Sequence, residues 1–508
     1  MILYGEDISD GAEISGDVCI VGSGPAGITA ALTMHAQGVK VVLIDGSLDF
    51  NNRSNDNSGV KYNNNIPLYQ GKSLGLLAKT EPDFLYIPTP PNAGGGWPPP
   101  NERERTYGGT GIHWGGQSRP LDKFTFENDR PGYPAWPITR ADMDPYYAKA
   151  VPFCGLYGDY GADGENFSTD FWVKELGAEK PELDGFVVTM YQFMVDKYKR
   201  FQTRDDFVAM TKSADATVIR NAHLLEINHQ GGSVTSLTVG SMTDNASNPQ
   251  KASTFTVKAK TYVMACGAVE NARQMLISGI GNGSGHLGRY VMCQPIPGSN
   301  QVVFANPASY LSPGMLNLMG GNTATNTSWR SPNGVSVQGR FVPDATLAGG
   351  SNVGTCWFWT NGGGFYFETS SDPRNTITLA SDTDPVFGQP NAEATWDLFE
   401  RDENTYNVLN RAFNQAVTAL GGDAVTSWDW AQVKSLMVMN GHHLGTTRMS
   451  ALPTDGVVDR NLKVHEADNF YVAGSSVWTS AGISNPTFSI VAFSIRLGEH
   501  IAGQLKQV

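Results

Sequence analysis

The sequence is short of several things, and each shortage closes off a class of function. No apolar run approaches the roughly 18 residues that a membrane-crossing helix needs, so no membrane span is expected. Basic residues are outnumbered: 36 Lys and Arg face 49 Asp and Glu, a formal net charge of −13. That excess of acid repels phosphate backbones and anionic lipid, which argues against nucleic acid and membrane partners. Cysteine is scarce. Cys19, Cys154, Cys266, Cys293 and Cys356 are scattered and form no C-x-x-C pair. A disulfide framework and a zinc site are therefore disfavoured, no metal is expected, and any haem would sit on a partner, since C-x-x-C-H is absent. Met1 to Gly16 holds no basic segment followed by an apolar one and no twin arginine, so the expected location is cytoplasmic. Repeats, sustained heptads and low-complexity tails are also missing.

What is present is a globular chain of 508 residues, 40% hydrophobic, long enough for two or three domains or two large interleaved ones. Its 57 glycines suit tight turns and close contact between backbone and a ligand. Asp17-Val18-Cys19-Ile20-Val21 reads as a buried strand. It runs into Gly22-Ser23-Gly24-Pro25-Ala26-Gly27, then a helical pattern to about Gln37, a second strand Val39–Ile44, and Asp45. This is the full strand, glycine turn, helix, strand, acid arrangement of a dinucleotide site. The glycines let the backbone approach a pyrophosphate, the helix N-terminus favours its charge, and the acid can hold a ribose hydroxyl. The motif does not choose between NAD and FAD.

Further along, Leu48 to Gln70 reads as a long polar loop, and Pro88 to Asn101 as a proline-rich arm. Thr106-Tyr107-Gly108-Gly109-Thr110-Gly111-Ile112-His113-Trp114-Gly115-Gly116 surrounds a His and a Trp with glycines, as suits backbone lying against a large flat ligand. Thr139 is placed to cap a short helix. Ala216–Arg220 and Thr261–Cys266 read as strands, the latter ending in a second glycine turn, Gly267-Ala268-Val269-Glu270-Asn271-Ala272-Arg273. Ser233 to Lys258 alternates like strands around a polar turn at 244–250. Cys356–Trp359 and Phe365–Phe367 read as a hairpin whose aromatics either stack on a sugar or pack a sheet core. Tyr406 to Leu420 is an amphipathic helix closed by Gly421-Gly422. In Asn440-Gly441-His442-His443-Leu444-Gly445-Thr446, two adjacent His in a loop are often merely structural, yet His is the side chain best suited to move a proton near neutral pH. Ser484-Asn485-Pro486-Thr487 opens the last helix, with Pro486 at a favoured first position and Ser484 or Asn485 as its cap.

Taken in this order, the motifs resemble the glucose–methanol–choline (GMC) family of flavin oxidoreductases, and within it the sugar-oxidising branch of pyranose oxidases, glycoside 3-oxidases and FAD-dependent sugar dehydrogenases. The likeness covers the N-terminal third and the C-terminal quarter; 301–400 matches loosely. It implies an α/β fold in which a Rossmann-like FAD-binding domain (1–123 with an arm at about 48–105, 200–300 and 426–508) is interleaved with a substrate-binding domain on a largely antiparallel β-sheet (124–199 and 301–425). It implies FAD held by Gly22, Gly24, Pro25, Ala26, Gly27, Asp45, Gly108, Gly109, Thr110, His113, Trp114, Gly115, Gly116, Ala265, Gly267, Gly474, Ser475, Asn485, Pro486 and Thr487. His113 stands where some relatives attach FAD covalently. Here Gly111-Ile112 precede it, unlike the covalent enzymes, which leaves the linkage open. His442 is implied as catalytic base and Asn485 as its partner, with His443 beside the substrate. The expected reaction oxidises a secondary alcohol of a sugar or glycoside by hydride transfer to flavin N5. The final acceptor is oxygen, a quinone or another carrier. A homo-oligomer or a separate electron-transfer subunit is compatible with the family. Alternatives are oxidation of a non-sugar alcohol, or a hydroxynitrile lyase of the same fold with no net redox chemistry.

Overall fold

The computed structural model describes residues 1–47, 76–78, 107–112, 114–243, 250–297, 311–319, 329–359, 364–384, 386–422, 429–438 and 441–507. The polar loop after Leu48, the proline-rich arm, His113, Asn440 and the tip of the 244–250 turn lie outside these residues.

At the centre is a six-stranded parallel sheet. Its spatial order is Ile2–Tyr4, Ala216–Arg220, Val41–Ile44, Val18–Val21, Thr261–Met264, Phe470–Val472. Val18–Val21, Val41–Ile44 and Thr261–Met264 are buried at every position, as strands covered on both faces must be. Helix Pro25–His35 packs against Val18–Val21 and Val41–Ile44, and the C-terminal helix Pro486–Leu505 packs against that helix. Gly498 lies where these helices touch: a Cβ there would stand 2.8 Å from Cβ of Thr33. A four-stranded sheet (Glu13–Ser15, Lys251–Lys258, Ser233–Met242, His223–Gln230) flanks this core.

The second layer is antiparallel. Gly364–Phe367, Cys356–Trp359, Ser336–Pro343, Phe186–Phe193 and Gln117–Ser118 form its main path. The hairpin expected at 356–367 is present, with Trp357 opposite Tyr366. A smaller sheet joins Thr376–Thr383, Pro390–Thr395 and Leu76–Ala78. The fold is thus α/β, with a Rossmann-like layer and an antiparallel sheet.

Local expectations meet two corrections. The long helix runs Glu400–Ala419, not from Tyr406, because Asp402 turns its carboxylate back to accept from Phe399 N at 2.8 Å. Thr139 does cap the helix Arg140–Phe153, with Asp142 reciprocating. Asn485, by contrast, holds the N-cap position of the last helix, but its side chain accepts no hydrogen bond from the first turn. Pro486 at the first position and its fixed φ start that helix instead.

Candidate active site

Three glycine turns meet at the C-terminal ends of the central strands. In the first, the helix begins at Pro25 with Gly24 before it. The glycines there divide the labour. A Cβ on Gly27 would lie 1.9 Å from Gly22 O, and one on Gly22 would lie 2.6 Å from Ala265 O. These two let helix and strands close on each other. Among the described residues nothing lies within 4 Å of where a Cβ on Gly24 would stand, and its φ of −68° suits any residue. An open cradle beside a proline-started helix fits a pyrophosphate.

Asp45 is tied into this turn. Its carboxylate accepts from Ser23 N at 3.1 Å, from Ser23 Oγ, and from Ser47 N at 2.9 Å. Ser23 Oγ in turn accepts from Gly108 N at 2.8 Å, which lays residues 107–111 across the cradle. A Cβ on Gly109 would be 3.2 Å from Gly24 Cα. Thr110 is exposed, and Trp114 donates its indole N–H to Lys199 O at 3.0 Å. Among the described residues Gly115 has no neighbour within 4 Å of its Cβ direction, whereas a Cβ on Gly116, with φ +79°, would stand 2.7 Å from Lys199 Cε.

The second turn, Gly267 (φ +81°), opens the helix Ala268–Ser278. Asn271, fully buried, staples it to the third: its Oδ1 accepts from Cys266 N at 2.8 Å, and its Nδ2 donates to Ala473 O at 3.2 Å and Ser476 Oγ at 3.0 Å. Gly474 has φ +100°, a conformation open to glycine. Ser475 Oγ donates to His443 O at 2.7 Å, and Gly445 N donates to Ser475 O at 3.1 Å. The His442–Met449 segment is therefore hung on the 474–477 turn. Gly445 is required twice over: its φ is +87°, and a Cβ would stand 2.3 Å from Tyr290 O.

His442 is half-buried. Its Nδ1 lies 2.8 Å from Oε1 of Gln294, and its ring stacks at 6.3 Å on Tyr366 of the antiparallel sheet. Burial, and then the neighbouring His443, push its pKa down to about 3, so it is neutral at physiological pH. Gln294 is 1% exposed, and its Nε2 donates to Gly482 O at 2.8 Å and Ser484 O at 3.1 Å. Tyr191 Oη donates to the intervening carbonyl of Ile483 at 3.1 Å. Glu368 accepts from Gly482 N at 2.7 Å while pairing with Arg130 at 3.4 Å, both side chains buried. This irregular turn has no ladder of its own, so side chains satisfy its backbone. It delivers Asn485, whose Oδ1 is buried with no hydrogen-bond partner among the described residues. A buried acceptor left so is costly unless a ligand supplies the donor.

The structure thus links the His442 segment and the turn before Asn485 through Gln294. It sets Ala265, Gly267, Gly474 and Ser475 around the strand ends, and leaves His113 outside the described residues. Gln294, Glu368 and Asn271 were not anticipated as site residues. Nothing local marks Gln294: it follows Met292 and Cys293, and it is antiparallel pairing on either side, Met292 to Leu444 and Ile296 to Val438, that brings it to His442, 148 positions away. Among the described residues no helix is long and apolar enough to cross a membrane.

Residues 371–494 match the family described as GMC oxidoreductase, and residues 15–55 match the FAD binding domain. The fructose dehydrogenase large subunit of Gluconobacter japonicus is 26% identical over 49% of this chain and 48% of its own. A 2-methyl-1,2-propanediol dehydrogenase of Mycolicibacterium austroafricanum is 30% identical over 26% of this chain and 24% of its own. The chain therefore spans half or less of the length of these relatives. A 6'''-hydroxyparomomycin C oxidase of Streptomyces lividus is 22% identical over 96% of this chain and 92% of its own. Among solved structures, pyridoxine 4-oxidase superimposes with a TM-score of 0.56 at 16% identity, covering 96% of this chain and 99% of that one.

Proposed function

We propose, from the premise that this chain belongs to the GMC oxidoreductase family and binds FAD, that it oxidises a secondary alcohol of a sugar or glycoside to the ketone. His442 is the general base and Asn485 its partner. Loss of a hydride from carbon and a proton from oxygen turns CH–OH into C=O, and FAD when bound supplies the hydride acceptor.

The observation that carries the reading is the pairing of a neutral imidazole with an unanswered amide oxygen on two segments held together by one side chain. A neutral His442 takes the hydroxyl proton, a role worth roughly 10²–10⁴-fold in rate. Asn485 has both donor and acceptor, so it suits alcohol and ketone alike. The first turn of the Pro486–Leu505 helix adds backbone N–H groups with no side-chain cap. A helix N-terminus favours negative charge by roughly 0.3–1 kcal/mol when exposed and up to about 2 when partly buried. Gly24, Gly109 and Gly267 are the positions at which we place the pyrophosphate and the backbone cradle of FAD, with Gly474, Ser475 and Thr487 toward its ring.

Sugar is favoured over other alcohols by the fructose dehydrogenase relative and by the half-buried Tyr366 ring beside His442, whereas Trp357, 1% exposed, packs behind it in the core of the antiparallel sheet. The propanediol dehydrogenase relative supports a second reading, a smaller non-sugar alcohol. Anaerobic flavin absorbance on addition of monosaccharides, glycosides and simple alcohols separates them. Bleaching by sugars is expected; bleaching by simple alcohols alone overturns the sugar assignment, and bleaching by neither moves the reading toward a lyase. The rate of recolouring in air then distinguishes oxygen from another acceptor.

A further inference from the structure

We propose that Gln294 is a positioning residue that locks His442 in the Nδ1–H tautomer and so leaves the basic lone pair on Nε2. The inference rests on the reading of His442 as base and extends it.

Donors and acceptors fix the ring's orientation. The side-chain amide of Gln294 has one end that only donates and one that only accepts. Two carbonyl oxygens, Gly482 O at 2.8 Å and Ser484 O at 3.1 Å, face one end. Carbonyls cannot donate, so the NH₂ must point at them, and a flipped amide would set oxygen against oxygen. The amide oxygen therefore faces His442 Nδ1 at 2.8 Å, and the proton between them belongs to the imidazole. A neutral ring with its proton on Nδ1 has its lone pair on Nε2.

The lock is itself braced. Gly482 is gripped from the other side by Glu368, which accepts its N–H at 2.7 Å and sits against Arg130. Gln294 cannot swing without breaking two contacts to a turn anchored in the second sheet. At 1% exposure, water does not readily replace them. The same side chain also ties the base to the segment carrying Asn485, so its amide sets both which nitrogen is basic and where the partner stands.

The test reads the tautomer directly. FAD-loaded protein labelled with ¹⁵N-histidine is examined by long-range ¹H–¹⁵N NMR at neutral pH, with the His442 signals identified by their loss in His442→Asn. The wild type is expected to show a protonated Nδ1 and an unprotonated Nε2. Gln294→Met, which keeps bulk but removes the acceptor, should shift the ring toward Nε2–H and slow flavin reduction at least about tenfold, since the wrong tautomer offers substrate no lone pair. Gln294→Glu, whose neutral carboxyl both donates and accepts, should restore the Nδ1–H signal. An Nε2–H signal in the wild type, or an unchanged ring in Gln294→Met, overturns the proposal. If Gln294→Met does not fold, the wild-type spectrum decides alone. Failure of the base reading is distinguishable: the tautomer would then be as expected while His442→Asn reduces flavin at the normal rate.

Discussion

Glycines of one short motif have opposite sensitivities, and this can be tested residue by residue. Gly27 is filled by Gly22 O, so Gly27→Ala should fail to fold or lose several degrees of Tm. Gly24 meets no described residue, so Gly24→Val should fold with near-normal Tm yet retain no FAD after purification. A fully flavinated Gly24→Val would show that the turn does not hold the pyrophosphate. His442 yields a pH prediction. Its folded-state pKa, about 3, lies below the ordinary 6.5 because the half-buried site strips water from the ring and sets His443 beside it. The neutral ring therefore contributes its stability in full above pH 6.5 and loses it progressively as pH falls toward 3. Between pH 6.5 and 4, His442→Asn should lose less Tm than the wild type. The acid limb of flavin reduction should fall well below pH 6; a limb near 6.5 would show an imidazole still in water. The motif residues were legible because they come as short strings of fixed spacing, even where what they touch is remote, as Ala265 is from Gly22. Gln294 was not, because its meaning lies in two carbonyls and an imidazole from distant segments.

At the scale of elements, the turn at 482–485 depends on the antiparallel sheet. Glu368, one residue past the strand Gly364–Phe367, holds Gly482 N while neutralising Arg130 in the interior. Glu368→Ala would leave Arg130 buried without this carboxylate, a loss of about 3–5 kcal/mol. Glu368→Gln, which keeps an acceptor for Gly482, should lose less. Chemical denaturation of both variants checks this, and a loss below about 1 kcal/mol in Glu368→Ala would mean that the pair is not structural. Strand and helix positions were largely readable here: uninterrupted apolar runs gave the parallel strands, and Pro486 gave the start of the last helix. What misled was capping. Asn485 has the chemistry of a cap, but its Oδ1 is not used for that, and the structure assigns the start to proline alone. The same polarity that suits a cap suits a substrate.

For the whole molecule, the parallel sheet draws its strands from the beginning, the middle and the end of the chain, with the antiparallel segments between them. Interleaving of this kind brings the glycine turn of residues 22–27 and the His442 segment to one place although more than half the chain separates them. We propose that the boundaries near 123, 200, 300 and 425 mark the exchange between the two layers. On the proposed reading of His442 and Asn485, the substrate's identity depends on groups set around them by both layers, which no linear motif encodes.

The most direct measurement is stopped-flow flavin reduction, under anaerobic conditions at pH 7, of the wild type and His442→Ala with whichever sugar bleaches the wild type. The account predicts equal FAD content and a reduction rate lowered at least about a hundredfold in the variant, as loss of a general base requires. Equal rates in the two proteins would contradict it.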